Sequence, residues 1–409
     1  MMFESRIFKD PKWLDEGQIP PTLRVRRREA EMLIRRYLNR FYSGAAASDI
    51  TLIYGSIGRV GIGKTTLGRF VGKAVEDSVG RYGVKAKYIY INVFAAPSIH
   101  QILALLAMQV GLRINVRGIT AIEALRAIVD HLERRNMYAL VVLDEFQSLL
   151  LSSKSSWDDL YLLLRVHEEV PTRDGLNRIF FLLIASDIRI LSLMKDRIPQ
   201  VESQIGFKIH LKPYTPEELY EILEQRAELA LKPTAWQPYL LEMIADSFGY
   251  RESESRGDGN ARKAITSLRM AAERAEAEDS YMITENHIRW AISENMAGYI
   301  PVTELRALSF HELLLLLALS KEVLYRGGYV TTGELTKRYQ EIAEHYNERP
   351  RGHSQLNVYI RNLSNLGFIE ARGSGKGIRG RTTLLRISPE IPVDRLVEVL
   401  EHLLVDRLN

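Results

Sequence analysis

The sequence predicts a multidomain α/β-plus-α protein in three parts. These are a doubly wound parallel sheet with a phosphate-binding loop, an all-helical second part, and a third part of three helices and a hairpin. Three observations carry the prediction. The stretch YGSIGRVGIGKTTLGRF, residues 54–70, meets the pattern G-x-x-x-x-G-K-[ST] in full with Gly58, Gly63, Lys64 and Thr65. Short apolar runs alternate with helical patterns from residue 50 to about 210. After about residue 213 only helices follow, until two strands joined by a Gly/Arg-rich turn close the third part.

The chain of 409 residues is too long for one compact core, so two or three domains are expected. A hydrophobic content of 46% and a charged content of 26% are those of a soluble globular protein. The chain has no cysteine, which excludes a disulfide scaffold and thiolate metal sites and fits a reducing interior. His100, His131 and His167 lie singly, so no histidine cluster suggests a metal site. The opening MMFESRIFKDPKW has no apolar core of signal-peptide length, and the run ELLLLLALS near residue 315 is too short to cross a bilayer. The expectation is a cytoplasmic, nucleoid-associated protein with no membrane partner.

A polar, basic lead-in runs into a helix, RREAEMLIRRYLNRFY. The runs TLIYGSI, AKYIYINV, YALVVLDE, RIFFLLIAS and GFKIHL read as strands, and the first four lack alternation, as parallel strands buried on both faces do. Thr215, Pro216 and Glu218 mark a helix start with a capping box. The helices QPYLLEMIADSF, NARKAITSLRMAAERAEA and TENHIRWAISENM follow, broken by the charged loop YRESESRGDGN. From about residue 305 come LSFHELLLLLALSKEVLYR, TTGELTKRYQEIAEHYN and HSQLNVYIRNLSNLG, then the strands and turn of FIEARGSGKGIRGRTTLLRIS. That order is a winged helix. The expected divisions are 1–212, 213–303 and 304–409.

The loop pattern has a mechanism. Its glycines let backbone N–H groups converge on an anion, Lys64 reaches the outer phosphates, and the Thr65 hydroxyl holds Mg2+. DITLIYGSI before it reads as a strand. Leu67, Val71 and Val75 after it recur at helical spacing, so a helix N-terminus faces the phosphates. An ordinary glycine turn would leave Lys64 beside Thr65 unexplained. YALVVLDE delivers Asp144 and Glu145 at the end of a strand expected beside the loop strand. Asp144 can hold Mg2+, and Glu145 can activate the attacking water. Ser186 ends RIFFLLIAS and can either touch the γ-phosphate or cap the next helix. Arg262 opens a lid helix from which it can reach back to the phosphates, and Arg197 can reach a neighbouring subunit's nucleotide.

Residues 349–386 hold eight basic residues and one acid, Glu370, although the whole chain carries only +4. Such a concentration is the footprint of a phosphate-binding surface. The third helix would enter the major groove of double-stranded DNA with Leu356, Ile360 and Leu363 turned inward. Ser354, Gln355, Asn357 and Arg361 lie off that apolar face, and the turn offers Lys376, Arg379 and Arg381.

Phosphate loop, LDE, polar strand end and lid arginine together resemble the AAA+ ATPase layout. PPTLRVRRREAEML resembles the lead-in, and GDGNARKAI the lid signature, of archaeal origin recognition complex (Orc/Cdc-type) replication initiators. The resemblance spans nearly the whole chain. It implies an AAA+ domain, a lid and a winged helix that bind ATP or ADP with Mg2+ and hydrolyse ATP slowly. It implies a nucleotide contact by Gly58, Gly61, Ile62, Gly63, Lys64, Thr65 and Thr66, with Pro21 and Arg28 near the adenine. Ser186 would be sensor 1 and Arg262 sensor 2. The helix within APSIHQILALLAMQVGLRINVRG would touch DNA through Arg113 and Arg117, although its apolar stripe alone reads as core. The implied partners are replication-origin DNA, the replicative helicase and paralogous initiators. In two places the chain departs from the family. Ser186 is shorter than the usual Asn, and Gly259 and Asn260 lengthen the lid motif. A transcription regulator and a loader working through protein contacts stay open beside the initiator. A metabolic kinase has no acceptor site here.

Overall fold

A computed structural model describes residues 5–44, 50–56, 58–80, 84–116, 118–151, 157–202, 204–251, 257–296, 302–326, 329–373, 383–388, 391 and 393–407. All five expected strands form: β1 (Ile50–Gly55), β2 (Lys85–Asn92), β3 (Met137–Asp144), β4 (Ile179–Ile184) and β5 (Ile205–Leu211). They pair in parallel in the order β2-β3-β4-β1-β5. β3 therefore does not lie beside the loop strand; β4 stands between them. β3 and β4 are buried almost throughout, as strands covered on both faces must be. β2, expected to be buried likewise, is an edge strand in which only Ile89 and Ile91 are fully buried.

The helices of this region are α1 (Arg27–Ser43), α2 (Lys64–Val79), α3 (Ile99–Gln109), α4 (Ala121–Arg134), α5 (Gln147–Leu151), α6 (Trp157–Leu164), α7 (Val166–Glu169), α8 (Arg189–Arg197) and α9 (Pro199–Glu202). Successive residues of β3 feed opposite faces of the sheet. Leu140 and Val142 join the core under α1 and α2, while Val141 and Leu143 join the core under α3, α4 and α6. The apolar stripe of α3 is spent in that second core, and Arg113 beyond it is exposed. Arg117 lies outside the described residues.

The lid comprises α10 (Pro216–Ala230), α11 (Pro238–Phe248), α12 (Ala261–Ala277) and α13 (Glu285–Met296). Thr215 and Glu218 form the expected capping box on α10. The lead-in, expected with the sheet, runs along the lid helices instead. Phe8 bridges Leu231, and Glu276 accepts from the Ser5 hydroxyl and the backbone of Arg6 and Ile7. The buried Arg226 donates to the carbonyls of Trp13 (2.9 Å) and Gln18 (2.7 Å).

Residues Met1–Ala291 and Ile292–Asn409 are separate compact units. The second holds α14 (Val302–Ala307), α15 (Phe310–Arg326), β6 (Val330–Thr331), α16 (Thr332–His345), α17 (His353–Asn365), β7 (Ile369–Gly373), β8 (Thr383–Ile387) and α18 (Val393–Asp406). Its antiparallel sheet runs β6-β8-β7. Leu313 to Leu319 of α15 are all buried, because α16, α17, α18 and β8 surround that helix. α14, β6 and α18 are additions to the expected three helices and hairpin. The α18 pattern, with Leu396, Leu400, Leu403 and Leu404 buried, is plain helical amphipathicity.

Arg226→Ala should free the lead-in from the lid. Loss of charged donors to two carbonyls costs about 2 kcal/mol, or about thirtyfold in opening. Limited trypsin digestion should then cut at Lys9 and Lys12 far faster than in the parent protein, and unchanged cleavage would show that other contacts hold the lead-in.

Candidate nucleotide site and DNA-facing helix

The parallel order puts the C-terminal ends of β1, β4 and β3 side by side on one edge of the sheet. β1 runs into the phosphate loop, whose Gly63 caps α2 in the left-handed region (φ +85°). Two positions of the loop demand glycine. A Cβ on Gly63 would lie 2.0 Å from the Tyr214 hydroxyl, and one on Gly61 (φ +68°) would lie 1.9 Å from Asn260 Oδ1. Ile62 points away into the core, so only its backbone is available to a ligand. Thr66 is partly buried on the first turn of α2. Gly58 is also at positive φ.

Lys64 is partly buried, and loss of hydration pulls its pKa below the ordinary lysine value. The carboxylates of Glu145, Asp144 and Asp187 oppose that fall, whereas the Arg262 guanidinium adds to it. The same interactions place Arg262 within electrostatic reach of the loop lysine. Asp144 is 3% exposed at the end of β3. Its Oδ2 accepts from the Thr65 hydroxyl at 2.7 Å and from the Tyr90 hydroxyl at 2.8 Å, and its Oδ1 accepts from the Glu145 N–H at 2.9 Å. Burial and the Asp144 charge push the Tyr90 hydroxyl pKa up strongly. A hydroxyl and a carboxylate meeting at the mouth of the loop are hard oxygen donors of the kind Mg2+ takes. The residues present therefore fit that ion.

Ser186 follows β4, and its carbonyl lies 2.9 Å from where a Cβ on Gly55 would sit. It caps no helix: α8 has no side-chain cap, and the carboxylate of Asp187 takes the Arg189 N–H instead. On the lid, Ala261 N donates to the Gly61 carbonyl at 3.0 Å, and Arg59 of the loop donates to the Gly257 carbonyl. Asn260 is 1% exposed and caps α12, accepting from Arg262 N and Lys263 N. The lengthened lid motif is thereby explained, since Asn260 takes the cap and Arg262 stands second in the helix. Glu16 lies 3.8 Å from Arg262.

Pro21 and Arg28 are exposed, Arg28 on the outer face of α1. The lead-in meets the site through other residues, Glu16 at Arg262 and Gly17, whose carbonyl accepts from Arg69. Arg197 is exposed at the end of α8, with its guanidinium 5.3 Å from the Trp157 ring. Sequence reasoning missed Tyr90 and Gln147, and it named Asn260 only as part of the lengthened lid motif. Only Asn260 had a signal, as a cap residue directly before a helical pattern.

In the second unit, Leu356, Ile360 and Leu363 of α17 are buried, while Ser354, Gln355, Asn357 and Arg361 are exposed on the opposite side. Lys376, Arg379 and Arg381 lie outside the described residues. Arg386, one of the eight basic residues, is paired with Glu370 at 2.6 Å and stacked on Tyr329.

The chain matches three family descriptions in order: an AAA domain over residues 52–186, a Cdc6 AAA+ ATPase-type lid domain over 220–293, and a CDC6 C-terminal winged helix domain over 303–392. It is 51% identical to ORC1-type DNA replication protein 2 of Aeropyrum pernix over 98% of both chains. The chain belongs to the ORC1-type DNA replication proteins. A Saccharolobus solfataricus member is 34% identical over 84% of this chain and 81% of its own. Among solved structures, Aeropyrum pernix ORC2 in ADPNP–ADP complexes is 49% identical with a TM-score of 0.70, covering 98% of this chain and 99% of its own. Aeropyrum pernix ORC1 in complex with DNA is 26% identical with a TM-score of 0.73, covering 99% of this chain and 100% of its own. As an ORC1-type initiator, the protein has the AAA+, lid and winged-helix composition of that family.

Gly61→Ala should leave the sheet folded but force the lid off the loop. Strain of about 1–3 kcal/mol predicts ATP binding weaker by about 5- to 150-fold in a calorimetric titration. An unchanged Kd would show that the loop tolerates a side chain there.

Proposed function

We propose that this ORC1-type protein is an ATP-switched initiator that binds replication-origin DNA and helps recruit or load the replicative helicase, alongside paralogous initiators. The observation that carries the reading is the 2.7 Å hydrogen bond from Thr65 to Asp144, which joins the phosphate loop to the acid pair. Thr65 and Asp144 would hold Mg2+. When bound, that ion neutralises charge on the outer phosphates. Lys64 would contact the same phosphates, and Arg262 would approach them from the lid. Water attacks the γ-phosphorus, Glu145 takes its proton, and the bond to the β–γ bridging oxygen breaks, leaving ADP and inorganic phosphate. The ADPNP–ADP complexes of the Aeropyrum pernix relative support nucleotide binding here. The DNA complex of its ORC1 supports DNA binding, with the exposed side of α17 as the surface offered.

Glu145→Gln should bind ATP with an affinity near the parent's and lose turnover by at least about a hundredfold, as removal of a general base does. Undiminished phosphate release would remove Glu145 from this role. Arg361→Ala should weaken duplex binding and reduce the slope of log K against log salt by about 0.9 if Arg361 grips one phosphate. A retained slope would put that side chain off the backbone. Footprinting on genomic fragments tests the whole reading. Discrete protection at replication origins supports the initiator, protection at promoters a regulator, and diffuse protection a loader.

A further inference from the structure

β3 ends at Asp144, and the chain then turns sharply, with Glu145 in the left-handed region at φ +54°. The turn is stitched to β4 by the Phe146 N–H, which donates to the Ile184 carbonyl at 2.9 Å. Gln147 opens α5 and is 6% exposed. Its amide is shared between two partners. The Nε2–H donates to Glu145 Oε2, and Oε1 accepts from the Ser186 N–H at 3.1 Å. A buried amide must satisfy both of its ends. Here one end is satisfied by Glu145 at the end of β3 and the other by Ser186 at the end of β4.

The geometry points to Gln147 as the positioning residue for the hydrolytic glutamate, tying the Glu145 carboxylate to the phosphate-facing end of β4. A recurring feature of general-base sites is a third group that fixes the orientation of the base. Gln147 supplies that group and makes the orientation depend on Ser186. A displacement of the Ser186 backbone toward or away from the phosphates moves Oε1, and the rigid amide plane carries the movement to Glu145. The site thereby couples sensing at β4 to activation of water at β3. This inference rests on the hydrolytic reading above.

Gln147→Glu tests it in the full chain, with ATP as the probe. The variant keeps the volume and the acceptor toward Ser186 but replaces the donor toward Glu145 with a like charge. Turnover should fall about 10- to 100-fold, a fraction of what a general base contributes, while the Kd for ATP stays within about twofold. In the Glu145→Gln background the same substitution should cost less than about twofold more, because residues that act as a unit are not additive. A merely structural role would give equal losses in both backgrounds. Gln147→Met, of similar length without polar atoms, is the second variant should the first fail to bind ATP, and the same outcomes are expected of it. Turnover at the parent level in both variants, or an equal loss with and without Glu145, overturns the inference. Absence of turnover in the parent protein instead overturns the hydrolytic reading itself.

Discussion

The hydrogen bond between Thr65 and Asp144 joins positions 79 residues apart, and it exists only because parallel strands all end on one edge of their sheet. With β4 between β1 and β3, the phosphate loop, Ser186 and the acid pair arrive at that edge together. Burial enforces the arrangement. Val141 and Leu143 are committed to one core and Leu140 and Val142 to the other, so a one-residue slip of β3 would turn both sets to the wrong face. The chemistry at the strand ends is thus held by apolar packing far from it.

The lid is tied down on two sides by different kinds of contact. On the loop side the fit is steric and short: Asn260 and Tyr214 sit where side chains on Gly61 and Gly63 would be. On the outer side the lead-in wraps the lid through backbone and charged hydrogen bonds to Glu276 and Arg226. Glu16 and Gly17 join the two sides, one at Arg262 and the other at Arg69, whose guanidinium lies over the Tyr90 ring. Displacing the lid from the loop has to break the Ala261–Gly61 and Arg59–Gly257 hydrogen bonds.

The second unit separates stability from recognition. α15 is buried along most of its length and forms the centre on which the other elements pack. α17 contributes only a narrow apolar stripe to it, which leaves its polar side available. The local excess of positive charge is smaller than a count of basic residues suggests, because Arg386 is already neutralised by Glu370.

The strands, the loop, the acid pair and the α10 capping box were legible in the sequence, because each depends on residues adjacent in the chain. Apolar runs report burial, and glycines with a lysine and a threonine report a phosphate cradle. Periodicity shows that a face is buried but not what covers it. Strand order, the edge position of β2 and the placement of the lead-in on the lid therefore came only from the tertiary structure. So did the partners of Tyr90 and Gln147. Each is an ordinary polar residue until the fold sets it against Asp144, Glu145 and Ser186, and in a hydrogen bond the position of the distant partner is what assigns the role.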